Sequence, residues 1–269
     1  MKAASSIALL DTDFISKTLC INDKGTSLLD VILSLDRYEF CCHETILNEL
    51  GKHSQDFVSW MNTQISTGRI RLYSDKEIIN LIKDSRHEVF AFFSFLDYYR
   101  QACDAIGSAI YERNFADLIP SEMTLEQFLN EIHCRESSLE RGSSVGEIKT
   151  YILANAHKEY EHEKELYVFC SDDKSARTGA ITLTPGIRCI SLLSSFLWLK
   201  QETAWTEEDA RQYINSYVEF CRQNGQQTFH VYTSDKSNSI MRVPCSQVLH
   251  EIFEDRYILL RNGFLRYKS

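Results

Sequence analysis

The sequence predicts an α/β protein with a mostly parallel central sheet, and three features lead there. Short, largely apolar runs recur at Ser6–Leu10, Tyr38–Cys42, Leu166–Cys170 and Ile187–Leu192, and the first of them is continuous, the pattern of a strand buried on both faces. Helical patterns, not tight hairpin turns, separate these runs. Acidic residues stand at or just beyond the ends of several runs: Asp11 and Asp13 after Leu10, Glu49 shortly after Cys42, and Asp172-Asp173 after Cys170. In open parallel sheets ligands lie outside the carboxyl ends of the strands, so acids found there in sequence converge in space.

The elements follow in order. Ser6–Leu10 is a strand, and the Ser27-to-Leu33 segment is the first helix after it. Tyr38–Cys42 is the next strand. Glu44–Leu50 is a helix with Ile46, Leu47 and Leu50 on one side, stopped by Gly51, and it carries Glu49. A second helical piece surrounds Phe57-Val58 and Trp60-Met61, and Gly68–Tyr73 alternates as a half-exposed strand. From Lys76 to Arg141 there is one proline, Pro120, and long helical patterns such as Ile78, Ile79, Ile82 and Val89, Phe92, Phe93, Leu96, which predict an inserted helical bundle. Ser143-Ser144 then signals a helix start, with Glu147 in the first turn and Ile148, Tyr151, Ile152 and Ala156 on the apolar face. The sheet resumes at Leu166–Cys170 and adds Ile187–Leu192. Helices at Ser194–Lys200 and Glu207–Phe220 close the unit. Thr228–Tyr232 and Ile258–Leu260 predict a small C-terminal α+β appendix. The expected division is 1–75 and 142–222 for the two parts of the α/β unit, 76–141 for the insertion and 223–269 for the appendix.

Composition confines the possibilities. With 269 residues and 43% apolar content, the chain can build one substantial core with embellishments, or two small domains. Its 29 basic and 38 acidic residues give a net charge of −9. That argues against a protein that coats nucleic acid non-specifically, since such binding neutralises many phosphates, but leaves open an enzyme with a local basic groove. Nine scattered cysteines without a C-x-x-C pair fit buried free thiols in a reducing compartment better than a disulfide frame or a zinc site. The apolar run after Met1-Lys2 is interrupted by Asp11, too early for a signal-peptide core, and nothing approaches the ~20 apolar residues of a spanning helix. A cytoplasmic location with no membrane partner is expected.

A cluster of Asp and Glu with no His or Cys beside the motifs suits hard, oxygen-seeking Mg²⁺ or Mn²⁺ and not zinc. Such ions polarise phosphoryl oxygens and lower the pKa of bound water, which favours phosphodiester hydrolysis as the reaction class. Leu9-Leu10-Asp11-Thr12-Asp13, Asn48-Glu49-Leu50, Gly146-Glu147-Ile148 and Ser171-Asp172-Asp173-Lys174-Ser175-Ala176-Arg177 occur in an order that resembles the PIN-domain nucleases. The resemblance covers roughly residues 5–75 and 143–200. It implies a PIN-like three-layer fold and a metal-dependent endoribonuclease directed at single-stranded RNA, often a toxin or defence effector held in check by an antitoxin or other regulatory protein. It also implies Asp11, Glu49, Glu147 and Asp173 as the catalytic and metal-holding acids, with Asp13 and Asp172 as supplementary ones. The adjacent Asp172-Asp173 leaves the fourth ligand open by one residue, and the insertion is longer than compact family members carry.

Each candidate also has an ordinary reading. Asp11 and Asp173 suit helix caps, Glu49 an exposed helix position, and Glu147 a complement to a positive helix N-terminus. Ser171 has a hydroxyl for a water or phosphate but is also a turn residue. Lys174 and Arg177 are candidates for substrate phosphate, or solvated surface. The aromatic stretch Phe90, Phe92, Phe93, Phe95, Tyr98, Tyr99 reads first as core and second as a base-stacking surface. His157 and His162 have no metal spacing. Two other functions stay open. One is a non-catalytic scaffold that binds a protein through the insertion or appendix. The other is a phosphatase resembling the haloacid-dehalogenase family, with Asp11 as nucleophile, Asp13 as general acid and Asp172-Asp173 at Mg²⁺.

Overall fold

The computed structural model describes residues 6–83, 87–139, 144–161, 164–234 and 239–268. Strand β1 (Ser6–Leu10) is followed by α1 (Thr12–Cys20), a small hairpin of β2 (Asn22–Asp23) and β3 (Thr26–Ser27), α2 (Leu28–Ile32), β4 (Tyr38–His43), α3 (Thr45–His53), α4 (Gln55–Ser66) and β5 (Ile70–Tyr73). Helices α5 (Asp75–Lys83), α6 (Glu88–Ala105), α7 (Ile110–Asn114) and α8 (Leu125–Ser137) come next, then α9 (Val145–Tyr160), β6 (Glu165–Cys170), α10 (Lys174–Leu183), β7 (Arg188–Ile190), α11 (Leu192–Glu202) and α12 (Glu207–Gln223). The remaining elements are β8 (Thr228–Tyr232), β9 (Ile240–Pro244), α13 (Cys245–Phe253), β10 (Tyr257–Leu259) and β11 (Leu265–Tyr267). The predicted helix-start residue Ser143, the insertion boundary at Arg141 and His162 lie outside the described residues.

Five strands form one all-parallel sheet in the order β5–β4–β1–β6–β7. β1 is central because it is buried along its whole length. Ala8 and Leu10 point to one face, with Phe40, Cys42, Val168 and Cys170 beside them, and are covered by α1 to α4, α11 and α12. Ile7 and Leu9 point to the other, with Cys41 and Phe169, and are covered by α5, α6, α8, α9 and α10. The architecture is a three-layer α/β fold, and the helical insertion supplies much of the layer on the second face. Phe92, Phe95, Tyr98 and Tyr99 of α6 are buried there, whereas Phe90 and Phe93 are exposed. The C-terminal elements build a second sheet, β10–β11–β8–β9, whose Val231, Val243 and Leu265, with Val248 of α13, join the core of the first face.

Two helices depart from the sequence expectation. α3 continues through Gly51 to a cap at Ser54 instead of stopping at the glycine, which does not take the left-handed conformation of a terminating residue. α1 begins at Thr12, directly after β1, where the periodicity shows no helix before Ser27. Its β-branched Thr12, Ile15 and Thr18 lower helix propensity, but the Asp11 cap and the burial of Phe14, Ile15 and Thr18 outweigh that.

A charged network ties the insertion to the sheet. Lys149 of α9 has no exposed side-chain surface, and its Nζ lies 2.6 Å from Asp75 Oδ2 and 2.7 Å from Glu136 Oε1 of α8. Asp75 Oδ1 in turn lies 3.1 Å from His43 Nε2 at the end of β4. Burial works against the charge on Lys149, but the two carboxylates outweigh it and hold its pKa above the ordinary value. All nine thiols are free; Cys20 and Cys134 are exposed and the other seven buried. Among the described residues no helix is long and apolar enough to cross a membrane.

Candidate active site

The chain runs outward from β1 through β4 to β5, then returns to place β6 on the other side of β1 and β7 beyond it. The order therefore reverses between β1 and β6, and the carboxyl ends of these two strands bound the crevice where open α/β sheets bind ligands. The strand ends are locked together: Asp11 N donates to Cys170 O and Ser171 N to Ile190 O, both at 3.0 Å. The residues immediately beyond, Asp11 on one side and Ser171-Asp172-Asp173 on the other, are held at the mouth of this crevice.

Asp11, Glu49, Glu147 and Asp173 line a single open cleft of about 320 Å³. Asp11 caps α1 by accepting from Thr12 N (2.9 Å), and its other oxygen accepts from the buried Ser171 hydroxyl (2.8 Å). Glu49 reaches across from α3 to accept from the Thr12 hydroxyl. Its carboxylate also rests on Gly146, where a Cβ would overlap it. Glycine at that position is thus what lets α3 and α9 bring Glu49 and Glu147 side by side. Glu147 Oε1 lies 3.0 Å from the Tyr151 hydroxyl, which is 2.7 Å from Ala176 O. The single phenolic proton serves one of these acceptors at a time. Asp173 caps α10, accepting from Ser175 N at 2.6 Å. The helix-cap readings of Asp11 and Asp173 are thus realised at the same time as their convergence.

Burial lifts the Asp11 carboxyl from 3.8 to about 7, and the negative charges of Asp13 and Glu49 push the same way, against the hydrogen bonds from Ser171 and Thr12 N. Burial also raises Glu147, helped by Asp173 and Glu49 and opposed by Tyr151. Both shifts report burial first, with the neighbouring carboxylates adding to it.

The other candidates are placed differently. Asp172 turns away from the cleft: Oδ2 pairs with Lys17 Nζ at 2.7 Å and Oδ1 accepts from Leu192 N at 3.1 Å. Asp13 lines the cleft but pairs with the same Lys17 at 3.0 Å, so one lysine clamps the two strand ends. Ser171 is fully buried beneath Asp11, where it orients that carboxylate and does not face solvent. Arg177 is buried too. Its guanidinium donates to Ser171 O (2.8 Å) and to Asn262 O (3.0 Å), which corrects its reading as an open phosphate contact. Lys174 is exposed and forms no ion pair among the described residues. Arg261, in the turn between β10 and β11, donates to Ile187 O and Thr184 O.

Sequence reasoning missed Thr12, Gly146 and Tyr151, which position the acids, and Lys52, His53 and Ser144, which line the cleft. Lys52 and His53 follow Glu49 by three and four residues, the spacing that puts them on its helix face, and this signal was in the sequence.

The donors in the cleft are carboxylate and hydroxyl oxygens with one exposed imidazole at the rim, a set that fits a hard divalent cation. The buried carboxyl of Asp11, with the Asp13 and Glu49 charges beside it, fits the same occupant. Among the described residues, however, no three His, Cys, Asp or Glu side chains are drawn together into a ready ligand shell. Glu49 and Glu147 are instead engaged with Thr12 and Tyr151. Comparison with known proteins gives no matching family model, no matching curated protein and no matching solved structure.

Proposed function

We propose that this chain is a PIN-like, Mg²⁺- or Mn²⁺-dependent endoribonuclease acting on single-stranded RNA. The observation that carries the reading is the meeting of Asp11, Glu49, Glu147 and Asp173, which are up to 162 positions apart in the chain (173 − 11), in one cleft at the strand-order reversal. These four acids are the residues that would hold the ion, and when bound it supplies Lewis-acid polarisation of the scissile phosphate and an activated water. Ser171 and Thr12 N fix Asp11, Thr12 and Gly146 fix Glu49, and Tyr151 steadies Glu147. Lys174, on the first turn after Asp173, is the open cation for a neighbouring phosphate.

The test is incubation of the purified protein with end-labelled single-stranded RNA and Mn²⁺. Cleavage that leaves 5′-phosphate and 3′-hydroxyl ends, is abolished by EDTA, and falls by roughly 10²-fold or more in both Glu49→Gln and Glu147→Gln supports the reading. Phosphomonoester hydrolysis that ignores Glu147→Gln would instead favour the phosphatase. Release of no nucleotides by the parent protein sinks the nuclease.

Gly146→Ala is a sharper probe, because it alters no acid. The added methyl displaces the Glu49 carboxylate, and the cleavage rate is expected to drop about 10- to 100-fold, the range for lost support of a ligand. Alanine's better helix propensity offsets part of the strain, so the unfolding midpoint should stay within about 4 °C. Unchanged kinetics in this variant would separate Glu49 from the chemistry.

A further inference from the structure

A second cleft, of about 330 Å³, opens beside the acids on the far side of the Asp172-Asp173-Lys174 turn. Asp173 lines the acid cleft and Lys174 lines this one, so a single peptide unit lies between the two. Its walls come from α10 and from the C-terminal sheet. Phe229 and Tyr232 of β8 and Phe264 of the β10–β11 turn present three half-buried rings, with Tyr232 and Phe264 edge to face at 5.8 Å. Lys174 is the exposed cation beside the rings, its Nζ 5.9 Å from the Phe264 centroid; the Arg177 guanidinium, 5.5 Å from the same centroid, is buried on Ser171 O and Asn262 O, and the Asp172 carboxylate in the cleft wall is paired with Lys17. Polar side chains of Gln226, Thr228 and His230 complete the rim.

Aromatic faces beside a positively charged track are the combination that binds unpaired nucleic-acid strands, rings taking bases and cations taking phosphates. The chain as a whole is acidic, and Lys174 sets a positive charge between these rings and the acid cleft. Resting on the nuclease reading above, we propose that this second cleft is a base-binding subsite, which receives an unpaired nucleobase flanking the scissile phosphate while Lys174 contacts the adjoining phosphate. The subsite gives the C-terminal sheet a role in substrate selection. A base held in duplex is not free to enter, so the cleft selects single strands.

The experiment measures binding, in EDTA so that nothing is cut, of a fluorescent six-nucleotide single-stranded RNA and of a series in which one position at a time is abasic. The parent protein is expected to lose about tenfold in affinity at one or two positions of the series and little elsewhere. Tyr232→Ala should weaken binding of the intact oligomer by about tenfold and erase the abasic penalty, while Tyr232→Phe retains both. Lys174→Ala, an exposed substitution that leaves the fold intact, should weaken all oligomers alike by a few-fold and reduce the salt dependence. An abasic penalty below twofold at every position, or an undiminished penalty in a folded Tyr232→Ala protein, overturns the subsite. Adenosine monophosphate binding as tightly as the oligomer would overturn the strand-flanking role in favour of a free nucleotide. The two readings fail separately: base discrimination without cleavage in Mn²⁺ removes the nuclease, and cleavage without base discrimination removes the subsite.

Discussion

In Asp11→Asn, metal-dependent RNA cleavage is expected to fall by roughly 10²–10³-fold, the scale for loss of a group that stabilises transition-state charge, while the metal-free protein becomes more stable at alkaline pH. The second effect follows from burial. Asp11 titrates near 7 in the folded chain against 3.8 as an ordinary side chain, so the unfolded chain loses this proton first as pH rises. Stability contributed by the protonated carboxyl is full below about pH 4, drains between pH 4 and 7, and is gone above. The difference of about three pKa units corresponds to about 4 kcal/mol. Urea denaturation in EDTA should therefore show parent and variant alike near pH 4.5 and the variant ahead at pH 8. Adding Mn²⁺ to the parent should recover the deficit and release protons. From sequence alone the substitution is expected to leave unfolding nearly unchanged; the buried position of Asp11 changes that expectation. Identical stability of the two proteins in EDTA at pH 8 would contradict a burial cost for the ionised Asp11 carboxyl.

Lys149→Ala should be the most damaging single substitution outside the cleft. It strips the ammonium from between Asp75 and Glu136 and leaves two largely buried carboxylates facing each other. Removing one partner of a buried ion pair costs about 3–5 kcal/mol, a large share of a typical domain's stability. The sign of its pH dependence is fixed. In the parent, burial opposes ionisation of Asp75, but Lys149 and His43 hold its pKa below 3.8, so its contribution is present above that value and is lost only in acid. Burial and the Asp75 charge already raise Glu136. Without the lysine both carboxyls take up protons more readily, so the deficit of the variant shrinks as pH falls from 7 towards 4. The triple variant Asp75→Asn, Lys149→Met, Glu136→Gln should recover most of the loss, because it removes the charges together. A deficit in Lys149→Ala under about 1 kcal/mol across this range would mean that the network does not hold the insertion in place.

The legibility of the fold in the sequence was uneven, for physical reasons. Strands buried on both faces must be continuously apolar, so Ile7–Leu10 and Val168–Cys170 announce themselves, and the acids beyond them mark the carboxyl edge. α1 does not, since a nine-residue helix rich in β-branched residues is held by its cap and its packing, neither of which is periodic. The insertion was visible as helices but not as a layer of the sandwich. Its part in the core depends on contacts between residues such as Phe92 and Phe128, 4.5 Å apart and stacked, that no local pattern contains. Within the cleft, acids were readable because they sit at strand ends and helix starts. Gly146 and Thr12 lay inside the motifs without a stated role, since what they do depends on the approach of α3. Lys149 gave no signal at all: a lysine two residues beyond Glu147 reads as surface until Asp75 and Glu136 are seen around it. Arg177 failed in the opposite direction, a cation on a helix start that the fold uses to anchor Asn262.

The distribution of thiols has a practical consequence. Cys20 closes the helix after β1 on one side of the sheet, and Cys134 sits in α8 on the other, while the remaining seven are shielded from solvent. Maleimide dyes should therefore label the native protein at two sites without any cysteine being removed. A donor–acceptor pair placed there straddles the sandwich, and energy transfer between the dyes would follow any swing of the α8 layer as substrate arrives.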